Sequence, residues 1–175
     1  MGVLYKDKQV FGLDIGRSSI KVMQIDLSGK KGRVVGYGTS SFESKAIKNG
    51  VIVDHELIVK AAHTLLTKEL VGKITTNRVS VSLPNEFSFS RVLTLPKMNT
   101  KDLESAVQAE INQSIPLNSD ELYYDYSVAR TLDDGTLEVQ VIATPRAIVD
   151  SYIGMFDALG LELSLVESNI TAMTR

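Results

Sequence analysis

The sequence predicts an α/β fold, and three observations carry that reading. The first forty residues hold three strand-like runs joined by short turns. From residue 54 onward, strand-length apolar runs alternate with helical patterns, as in parallel sheets covered by helices. Between them a strand, helix, strand, strand block interrupts the order. If residues 86–143 are an insertion, the flanking parts join into one mixed sheet, a meander on one side and parallel strands on the other.

Val10 to Ile15 and Ile20 to Asp26 read as two strands joined by the tight Gly16-Arg17-Ser18-Ser19 turn. In the second strand Ile20, Val22 and Gln24 point one way, and Lys21, Met23 and Ile25 the other. Arg33 to Phe42 is a third strand. Residues 54–71 read as a helix, with Asp54 as N-cap, a stripe of Leu57, Ile58, Ala61, Leu65 and Leu66, and Gly72 as its stop. Arg78 to Leu83 is a strand closed by Pro84-Asn85, and Ser88 to Leu95 another, ended by Pro96. Asn99 caps a second helix with Asp102 completing a capping box, and Pro116 ends it. One side of that helix carries Leu103, Ala106, Val107, Glu110, Ile111 and Ser114. Leu122 to Ala129 and Leu137 to Ala143 are strands flanking an Asp133-Asp134-Gly135 hairpin turn. Thr144-Pro145 opens a third helix with Pro at its first position. Its stripe is Ile148, Tyr152, Phe156 and Leu159, and Gly160 ends it. Leu161 to Val166 is apolar enough for a central strand. Asn169 to Arg175 begins a further helix.

The chain is 175 residues long and 43% hydrophobic, enough for one domain, or one with a modest insertion. A net charge of −2 without a basic block argues against nucleic acid and against a membrane patch. With no Cys, disulfides and thiolate metal sites are excluded. No apolar run is long enough to span a bilayer, and the polar start does not read as a signal peptide. Gly2 invites myristoylation, but Lys6 stands where that motif wants Ser or Thr. The balance reads as a soluble cytoplasmic domain.

The stretch FGLDIGRSSIK at 11–21 carries the chemistry. A buried strand runs into an acid, a Gly turn and two hydroxyls, and a Lys follows on the next strand. That is the chemistry of a hairpin holding a phosphate and its metal ion. The alternative is an ordinary hairpin in which Asp14 and Ser18 bond their own turn. His55 and His63 lie too far apart on one helix for a metal site and read as surface residues. Glu104 and Glu110 read as solvated, and Asp120, Glu121, Asp125, Asp133 and Asp134 as a solubilising acidic stretch.

The pattern resembles the actin-like ATPase superfamily, whose phosphate motif is Asp, any residue, Gly, then Lys or Gln; Asp14, Gly16, Ser18, Ser19 and Lys21 stand in it. Within that superfamily the chain is most similar to the PilM family of type IV pilus assembly. VLTLPKM at 92–98, AEINQSIPLNSDELYYDYSV at 109–128 and LEVQVIATPRAIVDSYIGMFDALGLELSLVE at 137–167 carry the likeness.

The resemblance implies an actin-like, ribonuclease H-like subdomain 1A at 1–85 and 144–175, with a strand-helix-strand-strand subdomain 1C inserted at 86–143. Family members are roughly double this length and carry a second Asp-x-Gly phosphate loop. No such loop follows residue 14, Asp133-Asp134-Gly135 being a hairpin turn, so a half without the second lobe (2A and 2B) is expected. Asp14, Gly16, Arg17, Ser18, Ser19 and Lys21 would then be half of a nucleotide site. Asp14 would hold Mg²⁺ through water, and Gly16 would let the backbone approach phosphate. The N–H groups of Arg17 to Ser19 would accept an anion, and Lys21 would set a charge on the β- or γ-phosphate. Arg17 stands where the family often carries a small residue; it could reach a phosphate or crowd the loop.

ATP and Mg²⁺ are thus implied as cofactors of the full-length protein and not of this half, with at most weak ATPase activity. No catalytic residue is assigned. Glu167 and Asn169 could face the cleft, or be a polar strand end and helix cap. The implied partner is the N-terminal cytoplasmic peptide of PilN, in a groove between 1A and 1C whose lining residues stay unknown, along with pilus motor components. The implied place is the cytoplasmic face of the inner membrane, held there through the partner without insertion. An FtsA-like division scaffold is the alternative, and a sugar or acetate kinase a more distant one.

Overall fold

The computed structural model describes residues 9–29, 31–83 and 85–168. The chain divides into two compact units, residues 1–84 with 151–175, and residues 85–150.

The first unit is built on a six-stranded mixed sheet. β1 (Phe11–Ile15), β2 (Ser19–Asp26) and β3 (Arg33–Ser41) form the antiparallel meander. A small hairpin of β4 (Ile47–Lys48) and β5 (Val51–Ile52) leads into α1 (His55–Lys68). β6 (Val71–Gly72) adds to the free edge of β3, and β7 (Arg78–Leu83) runs parallel to β1. After the second unit the chain returns through α3 (Arg146–Ala158) and β11 (Glu162–Ser168), and β11 lies parallel to β7. The strand order is β11-β7-β1-β2-β3-β6.

Alternation explains the core. In β2 Ile20, Val22 and Gln24 are buried, while Met23 and Ile25 are about half exposed. Phe11, Leu13 and Ile15 of β1 and Val79, Val81 and Leu83 of β7 point to the same interior. Each such side chain contributes about 1.5–3 kcal/mol. Buried Gln24 is satisfied: its amide donates to Thr75 Oγ1 (2.8 Å) and its carbonyl accepts from the Thr75 N–H (2.8 Å), tying β2 to the 73–77 loop.

α1 begins where Asp54 accepts a hydrogen bond from the Leu57 N–H at 3.1 Å. Asp54→Ala is expected to lower stability by about 1 kcal/mol in urea unfolding; an unchanged midpoint would refute the cap. Ile58, Ala61, Ala62 and Leu65 are buried, so Ala62 belongs to the stripe, while Leu57 and Leu66 are half-buried. The helix ends earlier than the spacing predicts. Glu69 is the C-cap, and Gly72 lies in β6 with φ +82°, where it approaches β3.

The second unit is one helix on a three-stranded antiparallel sheet. Its elements are β8 (Phe89–Leu95), α2 (Thr100–Ser114), β9 (Leu122–Thr131) and β10 (Leu137–Pro145), in strand order β8-β10-β9. Leu103, Val107 and Ile111 of α2 pack on Leu95, Leu122, Val139 and Val141 of the sheet. Asn99 caps α2 by accepting from the Asp102 N–H (3.0 Å). The return bond to Asp102 comes from the Asn99 side-chain amide (2.7 Å), where a capping box would use the backbone. The strand after Pro116 and the Asp133-Asp134-Gly135 turn fall where expected, with Gly135 at φ +86°.

α3 (Arg146–Ala158) starts one residue later than expected, because Pro145 still pairs with Leu122 in β10. The helix ends in a Schellman motif: Leu161 N–H bonds Phe156 C=O (2.9 Å), Gly160 N–H bonds Asp157 C=O (3.1 Å), and Gly160 sits at φ +66°. β11 (Glu162–Ser168) was expected to be central. It pairs with β7 alone among the described residues, with a register shift between Leu163 and Leu165 that leaves Leu165 37% exposed. Apolar composition here reflects one packed face, not two strand neighbours. The helix expected at 169–175 lies outside the described residues.

Candidate functional site

The β1–β2 hairpin fixes the candidate residues by register. Asp14 stands directly opposite Lys21, and Ile15 opposite Ile20. Ile15 and Ile20 are buried, so this register is pinned: a slip of one residue would turn the slipped strand's isoleucine out of the core. The turn closes with Gly16 N–H to Ser19 C=O at 2.9 Å, and Phe42 N–H bonds Ser18 C=O at 2.9 Å. Asp14 and Lys21 thus project to the same, open face of the sheet.

There Lys21 Nζ lies 3.5 Å from Asp14 Oδ2, and Ser82 Oγ donates to Asp14 Oδ1 at 3.3 Å. Both carboxylate oxygens are held by other strands, not by the turn. The ion pair is partly exposed and adds little stability of its own. The Cβ that Gly16 lacks would meet only Ser19, at 3.6 Å, so packing within the unit does not demand glycine. Arg17 and Ser18, in the turn, are exposed.

Asp14 and Lys21 border an open cavity of about 580 Å³ on the sheet face of the first unit, whereas Gly16, Arg17, Ser18 and Ser19 are not among its lining residues. Gly12, Asp14, Lys21, Ser80, Ser82 and Glu167 are among its lining residues. Glu167 pairs with Ser82 in register, so the structure brings it to the same cavity as Asp14. Asn169 lies outside the described residues. Ser80 and Ser82 escaped the sequence reading, though their signal was there: Arg-Val-Ser-Val-Ser-Leu alternates, and its polar row had to fall on the face opposite Val79, Val81 and Leu83.

The donor set suits a hard cation that keeps most of its water. The Asp14 carboxylate lies beside the Ser80 and Ser82 hydroxyls, with the Glu167 carboxylate lining the same cavity, and no group of three or more His, Cys, Asp or Glu could hold a metal among the described residues. His55 is on the surface, where its Nε2 donates to the Ser151 carbonyl at 3.0 Å, and His63 is exposed. Glu104 is exposed and Glu110 half-buried. The acidic stretch lies in the second unit, where a hydrogen bond from Thr136 holds the Asp134 carboxyl below its usual range.

The family model for type IV pilus assembly protein PilM matches residues 12–175. The chain belongs to the PilM family of type IV pilus assembly proteins. This PilM-family chain is also similar to type II secretion system protein L of Xanthomonas campestris pv. campestris, 28% identical over 85 residues, which are 49% of this chain and 23% of that protein. Among solved structures it resembles a PilM–PilN type IV pilus biogenesis complex, with a TM-score of 0.81 at 20% identity over 93% of this chain and 48% of that one. It also resembles the cytoplasmic domain of EpsL, an inner-membrane component of the type II secretion system of Vibrio cholerae. There the TM-score is 0.60 at 11% identity, over 91% of this chain and 57% of that one. These likenesses establish the actin-like α/β fold. The chain spans about half the length of those structures and under a quarter of the curated relative. No helix among the described residues is long and apolar enough to cross a membrane.

Proposed function

We propose that this chain is the part of a cytoplasmic pilus-platform adaptor that receives the N-terminal tail of PilN, and that its β1–β2 hairpin is one half of an ATP·Mg²⁺ clamp. Family membership over residues 12–175 carries the adaptor reading. The resemblance to a chain of a PilM–PilN type IV pilus biogenesis complex supports the choice of partner. In this reading PilN holds the adaptor at the inner face of the membrane, and pilus motor components are further partners.

The hairpin supports the second part. In the intact protein Asp14 would hold the waters around Mg²⁺, the 16–19 turn would offer N–H groups and hydroxyls to phosphate, and Lys21 would leave Asp14 for a phosphate oxygen. The bound Mg²⁺ would neutralise phosphate charge. Nucleotide would act as a conformational ligand with slow hydrolysis, and this half alone would hold it too weakly to measure. A synthetic PilN N-terminal peptide titrated into the chain by calorimetry should bind with micromolar affinity. Absence of heat at several hundred micromolar peptide would count against the adaptor.

A further inference from the structure

We propose that the outer edge of β9 takes an extended, lysine- or arginine-bearing segment of a partner protein as a fourth strand of the second unit's sheet. β9 is that sheet's longest strand, ten residues, and among the described residues pairs only with β10. Its other edge is solvent-facing: Asp125 and Ser127 to Thr131 are exposed, Val128 at 46%. Tyr126 shows which backbone groups face outward. Its N–H bonds the carboxylate of Asp125 at 2.9 Å, off the ladder. Strand alternation puts the N–H groups of Tyr124 and Val128 on the same edge.

Natural edges are commonly blunted by Lys, by Pro or by short length. β9 has none of these, and its one irregularity is a register shift against β10 between Val128 and Arg130. Its single cation, Arg130, is spent on Glu138 through two bonds of 2.7 and 2.8 Å. The charges in and around it along the chain are acidic: Asp120 and Glu121 before it, Asp125 within it, Asp133 and Asp134 after it. Residues 85–150 hold five Lys and Arg against eleven Asp and Glu, a net −6, whereas the whole chain carries −2.

That charge selects the occupant. Two copies pairing antiparallel about the middle of β9 would bring Asp120 and Glu121 of one against Asp133 and Asp134 of the other, a like-charge clash at both ends. An extended basic segment meets opposite charge along the same line. Its cation would draw Asp125 off the Tyr126 N–H and free that donor for the new ladder, so Asp125 guards the edge until a cation arrives.

The test uses the isotope-labelled chain, a capped synthetic peptide of alternating Lys and Thr as long as β9, and its Glu-for-Lys counterpart. The Lys peptide should slow hydrogen exchange at Tyr124, Tyr126 and Val128, more weakly as salt is raised, and the Glu peptide should not. Asp125→Asn keeps an acceptor for the Tyr126 N–H, so the fold survives, and should weaken Lys-peptide binding about two- to fivefold. The proposal is overturned if no β9 amide is slowed, if the Glu peptide slows them equally, or if Asp125→Asn binds as tightly as the parent chain. A concentration-dependent dimer that slows the same amides without peptide also overturns it.

Discussion

Gly72→Ala should destabilise the chain by about 3 kcal/mol, the combined cost of left-handed backbone strain and overpacking. Gly72 has φ +82°, and an added Cβ would clash with the carbonyl oxygen of Val35. Its partner is another glycine: Gly36 pairs with Gly72, and a Cβ on Gly36 would lie 2.6 Å from the backbone of Lys73. The two strands approach too closely for any side chain between them, and Lys73 N–H bonds Val35 C=O at 2.9 Å just beyond. Backbone cannot step aside as a rotamer can. In thermal unfolding the loss corresponds to a Tm lower by about 8 °C. The variant should also loosen Val71, which lines the sheet-face cavity. A Tm within a degree or two of the parent would mean that β6 is not packed on β3 as described.

Tyr152→Phe should do little at neutral pH and much above pH 10. Tyr152 is 1% exposed, and its hydroxyl has no hydrogen-bond partner among the described residues. Removing a hydroxyl that bonds nothing costs no native hydrogen bond, so the variant should be as stable as the parent or more so at pH 7. Burial, and then the negative charge of Asp14, push the phenol up to about 12 from the ordinary 10. The unfolded chain therefore gives up this proton first. Stability from the neutral phenol is intact below pH 10 and is lost as pH rises toward 12, by about 3 kcal/mol in all. Urea unfolding between pH 9 and pH 12 should show the parent losing that increment and the Phe variant keeping it. Parallel losses in both chains would refute the assignment.

What the sequence disclosed was what neighbours along the chain decide. The buried row of Ile20, Val22 and Gln24, the Asp54 cap and the Asp133-Asp134-Gly135 turn are local matters of period and backbone angle. So is the tight hairpin of residues 10–26, although the pairing of Asp14 with Lys21 across it emerged only in the structure. What stayed hidden came from distant segments. Ser82 reaches Asp14 only because β7 lies parallel to β1. Gly72 read as a helix stop because nothing local reveals that β3 passes against it. β11 read as central because an apolar strand looks alike whether it has one neighbour or two. β4, β5 and β6, two residues each, are too short for any period to register.

The most direct measurement is the affinity of this chain for the N-terminal segment of PilN, taken with and without millimolar ATP·Mg²⁺. If the peptide surface is carried on this half and the hairpin is only half a nucleotide clamp, the peptide binds at micromolar concentration and nucleotide leaves the dissociation constant unchanged. An absence of binding would contradict the adaptor reading. A dissociation constant that moves with ATP·Mg²⁺ would contradict the half clamp.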